Sequence, residues 1–261
     1  MKKLIITVGG LLRNEKLAEL ADSQKILGVD GRQESFQVPD KINQKNNKIV
    51  LGIELSRTQS AAVLSHNLAQ TKLSDEWVCI LEDDAIILDS EMFEEGLSNI
   101  QNLTLKKPTV FLLYSGFGVV TSKSYKIGRH FSASKVKSLP TGAVGYALNS
   151  KARNLIHSSK TITGTPDWPT WAGSVAFYSL IPSVVSHNPE IQSLYTVDTP
   201  EDFPEHWPKH RKSIGLSASS IFNRGITNAY GGLIPYLKFV IFPALSRVYS
   251  ASVSRVHFKK F

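Results

Sequence analysis

Short apolar runs alternate along the chain with longer stretches in which apolar residues recur every three or four positions. The short runs are rich in β-branched or aromatic residues and predict buried strands at residues 4–8, 78–81, 109–114 and 143–148. The periodic stretches predict helices at residues 15–21, 54–73, 90–103 and 151–157. Strands that alternate with helices are typical of an α/β domain with a mostly parallel, Rossmann-like sheet and helices on both faces.

The longest predicted helix, residues 54–73, has five candidate buried positions: Leu55, Ala62, Val63, Leu68 and Ala69. Before it, residues 33–48 are polar and rich in Asn, Gln and Lys, which predicts a surface loop without helix or strand. In sheets of this kind, ligands bind beyond the carboxyl ends of the strands, so the chemistry is expected there.

The compartment is inferred from the single cysteine and from the first residues. Cys79 lies within a predicted strand, so we expect a small buried side chain, and one cysteine fits a reducing compartment. The N-terminal apolar run is short, is broken by Gly9 and Gly10 and lacks a small-residue cleavage pattern. A first buried strand that ends in a glycine turn is therefore expected, in a cytoplasmic protein.

The positive charge is concentrated in the last fifth of the chain. The formal net charge is +8, yet residues 1–205 hold 21 bases against 22 acids. Residues 206–261 hold nine Lys or Arg and no acid. We therefore predict a catalytic domain over residues 1–205 and a basic, partly apolar extension over residues 206–261.

The extension contains an apolar segment, LIPYLKFVIFPAL, at residues 233–245. Thirteen residues are too few to cross a hydrocarbon core, which needs about 20. With basic residues around it, the segment is expected to bind an anionic membrane surface. The alternative is a C-terminal helix that packs on the core with its basic face in water.

Three adjacent acids, Glu82, Asp83 and Asp84, lie between the apolar runs 77–81 and 85–88. A bare carboxylate in such a setting is costly unless a cation or water compensates it. Mg²⁺ or Mn²⁺ meets this need with oxygen ligands and binds substrate phosphates as well. If the strand continues, Glu82 and Asp84 point to one side and Asp83 to the other. The alternative is an acidic turn that faces water.

A resemblance supports the functional interpretation. The run GIELSRTQSAAVLSHNLAQTKLSDEWVCILEDDAIIL resembles the central block of glycosyltransferase family 25, the bacterial lipopolysaccharide-type glycosyltransferases. Three further segments resemble elements of that family: ILGVDGR (26–32), TGAVGYALNSKARNLI (141–156) and PDWPTW (166–171). The N-terminus departs from the family, because ITVGGLLRNEK replaces the usual Asn-Leu followed by paired basic residues.

The resemblance implies a GT-A fold, a nucleotide-sugar donor and sugar transfer with inversion. Glu82, Asp83 and Asp84 would then hold the metal, with Asp84 as a direct ligand and Asp83 also available to the ribose. His187 is a candidate further ligand, since neutral imidazole suits Mn²⁺ better than Mg²⁺. Its alternative is a histidine in a surface loop.

Asp167 is the candidate catalytic base, because prolines stiffen its loop and two tryptophans beside it could stack on sugars. Its alternative is a turn or helix-capping aspartate next to core tryptophans. Ser65 and His66 match a Ser-His pair of the family and could contact the nucleotide or orient the acids. Asp30, in an Asp-Gly turn, is a candidate for holding uracil or ribose.

These residues predict a metal-dependent, inverting glycosyltransferase that moves a hexose from a UDP-sugar to a lipopolysaccharide or lipid-linked glycan, at the inner face of the inner membrane. The first rival is a metal-dependent phosphodiesterase or nuclease, although no nucleic-acid partner is expected. The second rival is a non-catalytic sugar- or membrane-binding relative. The acceptor, the linkage and the donor sugar depend on loops such as 115–140, which carry no readable motif.

Overall fold

The computed structural model of the chain describes residues 1–10, 12–51, 54–72, 76–114, 121–136, 140, 142–164 and 167–188. The predicted boundary at residue 205, the basic extension and the apolar segment 233–245 lie outside these ranges. Within them, no helix is long and apolar enough to cross a membrane.

Among the described residues, eight strands form the main sheet: β1 (Lys2–Thr7), β2 (Ser23–Leu27), β3 (Trp77–Glu82), β5 (Thr109–Leu112), β6 (Thr121–Ile127), β7 (Phe131–Val136), β8 (Gly145–Asn149) and β9 (Ala176–Ile181). Their order in the sheet is β2-β1-β3-β8-β5-β9-β7-β6. Two short strands, β4 (Ala85–Ile87) and β10 (Val185–His187), pair with each other beside it. The predicted strands all lie in the main sheet.

The sheet is mixed. Strand β1 is parallel to β2 and β3, and β5 is parallel to β9, whereas β8, β7 and β6 add antiparallel pairs. Antiparallel neighbours need only a turn: β6 and β7 are joined at residues 128–130, where Gly128 has a φ of +76°. The predicted α/β class is confirmed, but parallel pairing is limited to these two groups of strands.

The described residues contain four α-helices: α1 (Gln44–Leu51), α2 (Arg57–Thr71), α3 (Ser90–Gln101) and α4 (Ser150–Ser158). Helices α2, α3 and α4 contribute residues to the apolar clusters on the sheet. A capping box of Ser56 and Gln59 begins α2, and the side chains of Asp89 and Asn149 cap α3 and α4. Residues Glu15–Glu19 form a short 3₁₀ helix where a helix was predicted.

Two sequence predictions about these helices are wrong. Helix α1 lies partly inside the polar stretch predicted to be a loop, and Leu68, a predicted buried position of α2, is 48% exposed. Its neighbours Val63 and Ala69 are buried as predicted. Helix α2 packs against both the sheet and α4, and Leu68 lies on its remaining solvent-exposed surface.

Successive residues of a strand point to opposite faces of the sheet, so the apolar strand residues form two clusters, one on each face. Ile80 belongs to the cluster that includes residues of α2 and α4, whereas Cys79 and Leu81 belong to the one that includes residues of α3. Cys79 is fully buried, as predicted, and burial raises the pKa of its thiol to about 12. The two covered faces leave the carboxyl ends of β1, β2 and β3 as one continuous edge.

Candidate active site

The acidic triplet forms a tight turn at the carboxyl end of β3. Glu82 is the last residue of the strand, and Asp83 and Asp84 form the turn into β4. The side chains of Asp83 and Asp84 are each 4% exposed, and that of Glu82 is 27% exposed. The strand thus ends before the alternation predicted for the three acids could apply. An acidic turn that simply faces water is also excluded, because both aspartates are buried.

Arg13, from the turn after β1, is the main cation at the two aspartates. Its Nε and Nη2 atoms lie 2.8 and 2.5 Å from Asp83 Oδ1, and Nη2 lies 3.1 Å from Asp84 Oδ2. Strand β1 is parallel to β3, so the turns that follow the two strands lie side by side. This ion pair compensates much of the negative charge that the sequence places here.

Asn14 holds the acidic turn by its backbone. Its N–H donates to the carbonyl oxygen of Asp83 at 2.8 Å, and its Nδ2 donates to that of Ala85 at 2.7 Å. The same side chain also accepts from Lys16 N–H at the start of the 3₁₀ helix. The turn after β1 therefore fixes both the charge and the backbone path of the acids.

His187 reaches the same turn through the small two-stranded sheet. In the antiparallel pairing of β10 with β4, His187 lies opposite Ala85. Its Nε2 is 3.6 Å from Asp84 Oδ2, and its side chain is 37% exposed. The structure thus brings His187 to the acids, at the end of a strand and not in a free surface loop.

The pKa values of the acids differ in direction. Burial, with the charge of Glu82 added, raises the pKa of Asp84 to about 6 against the opposing effect of Arg13. Burial also raises the pKa of Asp83. For Glu82 burial is again the largest effect, but the hydrogen bond from His66 and nearby positive charges outweigh it and lower the pKa. Asp84 is the acid whose charge is least compensated.

His66 contacts Glu82 and lies in the middle of a buried polar chain. Its Nε2 is 3.0 Å from Glu82 Oε1, and its Nδ1 is 3.0 Å from the hydroxyl of Tyr146. Gln70, one turn further along α2, donates to the same hydroxyl at 2.9 Å. The structure thus brings His66 into contact with the acidic turn, and its orienting role stays a prediction. Contact of His66 with a nucleotide stays a prediction.

Ser65 and Asp30 lie beyond the carboxyl end of β2. Ser65 Oγ accepts from Val29 N–H at 2.8 Å and donates to Ala61 O at 2.8 Å. The Asp30 carboxylate accepts hydrogen bonds from Arg32 Nε and Nη2, each at 2.8 Å, and this interaction with Arg32 lowers the pKa of Asp30. Both side chains are thus engaged within the fold, where they hold the loop after β2, and nucleotide binding by either stays a prediction.

Close packing against helix α2 requires a glycine at position 31, in the predicted Asp-Gly turn. A Cβ atom there would lie 2.5 Å from the carbonyl oxygen of Arg57 at the start of α2. The backbone approaches the helix too closely for any larger residue.

Asp167 is half-buried, and its Oδ2 accepts the N–H of Gly142 at 3.0 Å. Burial raises its pKa, and the negative charge of Glu82 adds to this effect. A carboxylate with a raised pKa suits a group that takes up a proton.

The two tryptophans beside Asp167 are core residues. Trp168 is fully buried and Trp171 is 7% exposed, so the expectation that they stack on sugars is wrong. Trp168 instead donates from Nε1 to the carbonyl oxygen of Gly142 at 3.2 Å, while Gly142 donates to Asp167. The indole therefore holds the loop that orients the carboxylate.

The buried aspartates fit a divalent cation in one respect. Asp83 Oδ2 and Asp84 Oδ1 are buried and have no hydrogen-bond partner among the described residues. Over the same residues, no cluster of three or more His, Cys, Asp or Glu has the arrangement of a metal site. Mg²⁺ and Mn²⁺ commonly bind one or two carboxylates and take waters and phosphates as the other ligands, so two carboxylates suffice.

Comparison with protein families gives a match to the model for glycosyltransferase family 25 (LPS biosynthesis protein) over residues 14–169. The chain belongs to glycosyltransferase family 25. The matched part of this glycosyltransferase contains Ser65, His66, the acidic turn and Asp167, whereas Arg13 and His187 lie outside it. A comparison with curated protein sequences finds no match.

Three residues of the site were missed by reasoning from the glycosyltransferase sequence: Arg13, Asn14 and Tyr146. The order Arg-Asn directly after the first strand and its glycine turn was an available signal, because that turn lies at the ligand-binding edge of such sheets. For Tyr146 there was none, since an apolar strand does not show which residue on its buried face meets a histidine.

Proposed function

We propose that this glycosyltransferase moves a hexose, with inversion, from a UDP-sugar to a lipopolysaccharide or related glycan, with Mn²⁺ or Mg²⁺ at the acidic turn. The observation that carries the proposal is a pair of buried carboxylate oxygens, Asp83 Oδ2 and Asp84 Oδ1, for which the described part of the chain supplies no hydrogen-bond partner. Burying an ionised oxygen without compensation is costly, so a ligand that supplies positive charge is needed there.

The roles at the donor side follow from the contacts. Asp84 is the principal metal ligand, because its charge is the least compensated, and Asp83 keeps one oxygen for the metal or a ribose while Arg13 holds the other. Glu82, held by His66, and His187 complete the set of candidate ligands. At these residues a divalent cation would supply positive charge that neutralises the departing diphosphate. Arg13, with its side chain 25% exposed, adds a fixed positive charge beside it.

Asp167 is the proposed base for the acceptor hydroxyl. Burial raises its pKa, and the negative charge of Glu82 adds to this effect, which favours proton uptake as the acceptor attacks. The fixed loop of Gly142 and Trp168 keeps its carboxylate in one orientation, which is how an enzyme reduces the entropic cost of transfer.

Family membership gives a glycosyltransferase and leaves no support for the phosphodiesterase or nuclease interpretation. The sharpest test is a donor screen in which transfer and hydrolysis of UDP-, GDP- and CMP-sugars are measured with Mn²⁺, with Mg²⁺ and with EDTA. The proposal expects turnover of a UDP-sugar that EDTA removes and Mn²⁺ restores. Equal turnover in EDTA contradicts the metal, and turnover of another nucleotide sugar alone contradicts the donor.

Asp167→Asn is expected to lower kcat by about 10²-fold or more, the usual scale for a lost general base, with little change in donor affinity. The amide oxygen of Asn can still accept from Gly142, so the fold should persist. Turnover and UDP affinity are compared with Asp40→Asn, a control at an exposed turn residue. Near-normal kcat, or loss of the folded state, would favour a structural role for Asp167.

The basic extension, which lies outside the described residues, is proposed to dock the enzyme on anionic membrane at the cytoplasmic face of the inner membrane. Its nine bases and absence of acids support this, since each Lys or Arg near such a surface contributes about 1 kcal/mol.

Removal of residues 233–261 is expected to abolish sedimentation with vesicles rich in acidic lipid, while transfer to a short soluble acceptor continues. High salt should weaken the binding of the intact chain. An inactive or insoluble truncated chain would show that the segment packs on the core.

A further inference from the structure

A buried chain of four polar side chains links α2 and β8 to the acidic turn. Gln70 Nε2 donates to the Tyr146 hydroxyl at 2.9 Å, that hydroxyl is 3.0 Å from His66 Nδ1, and His66 Nε2 is 3.0 Å from Glu82 Oε1. Gln70 is 2% exposed, Tyr146 is fully buried and His66 is 7% exposed. Water has little access to the first three members, so they must satisfy one another.

The available donors determine the direction in which these four side chains donate their hydrogen bonds. The Tyr146 oxygen receives an N–H of Gln70, and burial raises the pKa of the phenol, so Tyr146 keeps its own proton. That proton has His66 Nδ1 as its partner, which makes Nδ1 an acceptor. A neutral imidazole with an acceptor Nδ1 carries its proton on Nε2. The proton on Nε2 then donates to Glu82 Oε1.

The reverse direction leaves polar groups unsatisfied. With the proton on Nδ1, the lone pair of His66 Nε2 would face a Glu82 carboxylate oxygen at 3.0 Å. The Tyr146 oxygen would receive two donors while its own buried proton had no acceptor among these residues. Each unsatisfied buried group costs about 1–3 kcal/mol, so the direction from Gln70 to Glu82 is favoured.

The ring of Tyr146 also contacts the other side of the site. It stacks on His66 with ring centroids 5.8 Å apart, and it meets Trp168 edge to face at 5.1 Å. Trp168 in turn holds Gly142, whose N–H donates to Asp167. One buried ring thus supports the loop of the proposed base, while its hydroxyl acts on the acidic turn.

We propose that Tyr146 is a positioning residue, which fixes the tautomer of His66 and through it the placement of Glu82 at the acidic turn. This proposal rests on the proposed function only where Glu82 is taken as a candidate ligand of the metal that binds the donor. Tyr146 touches none of the reacting groups in this scheme. It sets the orientation of the residue that holds one of them, as partners of metal ligands commonly do.

The test uses the full chain and three variants: Tyr146→Phe, Gln70→Met and the double variant. The ¹⁵N resonances of the His66 ring, assigned by comparison with His66→Gln, report which nitrogen carries the proton. Mn²⁺ alone is the binding probe, followed by calorimetry. Urea unfolding in EDTA measures stability separately. None of these readouts needs the donor or the acceptor.

In the intact chain we expect a proton on Nε2 and an Nδ1 that accepts a hydrogen bond. Tyr146→Phe should shift the Nδ1 resonance toward that of a nitrogen without a donor and weaken Mn²⁺ binding by about tenfold. Gln70→Met keeps the donor to His66 and should leave both readouts close to those of the intact chain.

The double variant separates positioning from stability. It removes the Gln70 N–H that Tyr146→Phe leaves without an acceptor, so stability should partly recover while Mn²⁺ binding stays weak. A proton on Nδ1 in the intact chain, or recovery of Mn²⁺ binding together with stability, would overturn the proposal. If the intact chain binds no Mn²⁺, the metal in the proposed function is wrong. The His66 tautomer then remains as the test of the positioning role of Tyr146.

Discussion

Asp84→Asn is expected to abolish metal-dependent transfer and at the same time to stabilise the metal-free protein at neutral pH. The side chain is 4% exposed, and burial together with the charge of Glu82 raises its pKa to about 6. An unfolded aspartate has a pKa of about 3.9. The charged form is therefore unfavourable in the fold until a cation binds, and Asn keeps the shape without the charge.

The sign of the pH dependence follows from proton linkage. Between the unfolded and the folded pKa of Asp84, the folded state binds more protons, so the free energy of unfolding falls as pH rises from about 4 to about 6. Above this range the full penalty is present, and two pKa units correspond to about 3 kcal/mol. Asp84→Asn should recover about 1–3 kcal/mol at pH 7.5 in EDTA, and less at pH 5.

Urea unfolding in EDTA and in Mn²⁺ measures both effects, with calorimetry of UDP and Mn²⁺ as the binding assay. Mn²⁺ should stabilise the intact chain and leave Asp84→Asn unchanged, because ligand binding to the folded state adds to stability. Asp40→Asn, at an exposed turn, is the control. A variant that keeps metal-dependent UDP affinity would remove Asp84 from the metal site, and one that is less stable in EDTA would contradict the charge penalty.

The sequence predicts two kinds of element well: helices with apolar residues along one face, and strands that are a continuous apolar run. Helix α3 and strand β3 bury such residues against the sheet core, and both were predicted within a few residues. Helix α1 was missed because its residues, QKNNKIVL, are mostly polar. Strands β6 and β7 were missed because polar and charged residues interrupt both of them, and β6 is an edge strand.

The sequence predicted the acids of the site, but it did not predict that Arg13 compensates their charge. Glu82, Asp83 and Asp84 are conspicuous because an apolar strand precedes them, and chemistry requires a compensating cation. Which cation is near depends on the parallel pairing of β1 with β3, a tertiary contact that brings Arg13 across 70 positions of sequence. His187 arrives similarly, through the pairing of β10 with β4.

Arg13→Gln is expected to destabilise the metal-free protein strongly, because Arg13 is the cation that contacts both buried aspartates. Removing one partner of a buried ion pair typically costs 3–5 kcal/mol, since an uncompensated charge remains. Arg13 is 25% exposed, so solvent screens part of this, and we expect about 2–3 kcal/mol at pH 7.5 in EDTA. Arg129→Gln, in the exposed turn between β6 and β7, is the control for loss of a positive charge.

The same variant also tests whether a divalent cation and Arg13 compensate one pair of acids. Without the guanidinium, Asp83 Oδ1 and Asp84 Oδ2 become available and the local charge is more negative, so Mn²⁺ should stabilise Arg13→Gln more than it stabilises the intact chain. Combining it with Asp83→Asn removes one of the two buried negative charges that Arg13 no longer compensates, and the double variant should unfold at a urea concentration nearer that of the intact chain. If Arg13→Gln is as stable as Arg129→Gln, or gains no more from Mn²⁺ than the intact chain, the aspartates are not compensated by Arg13 and the charge at this turn is balanced elsewhere.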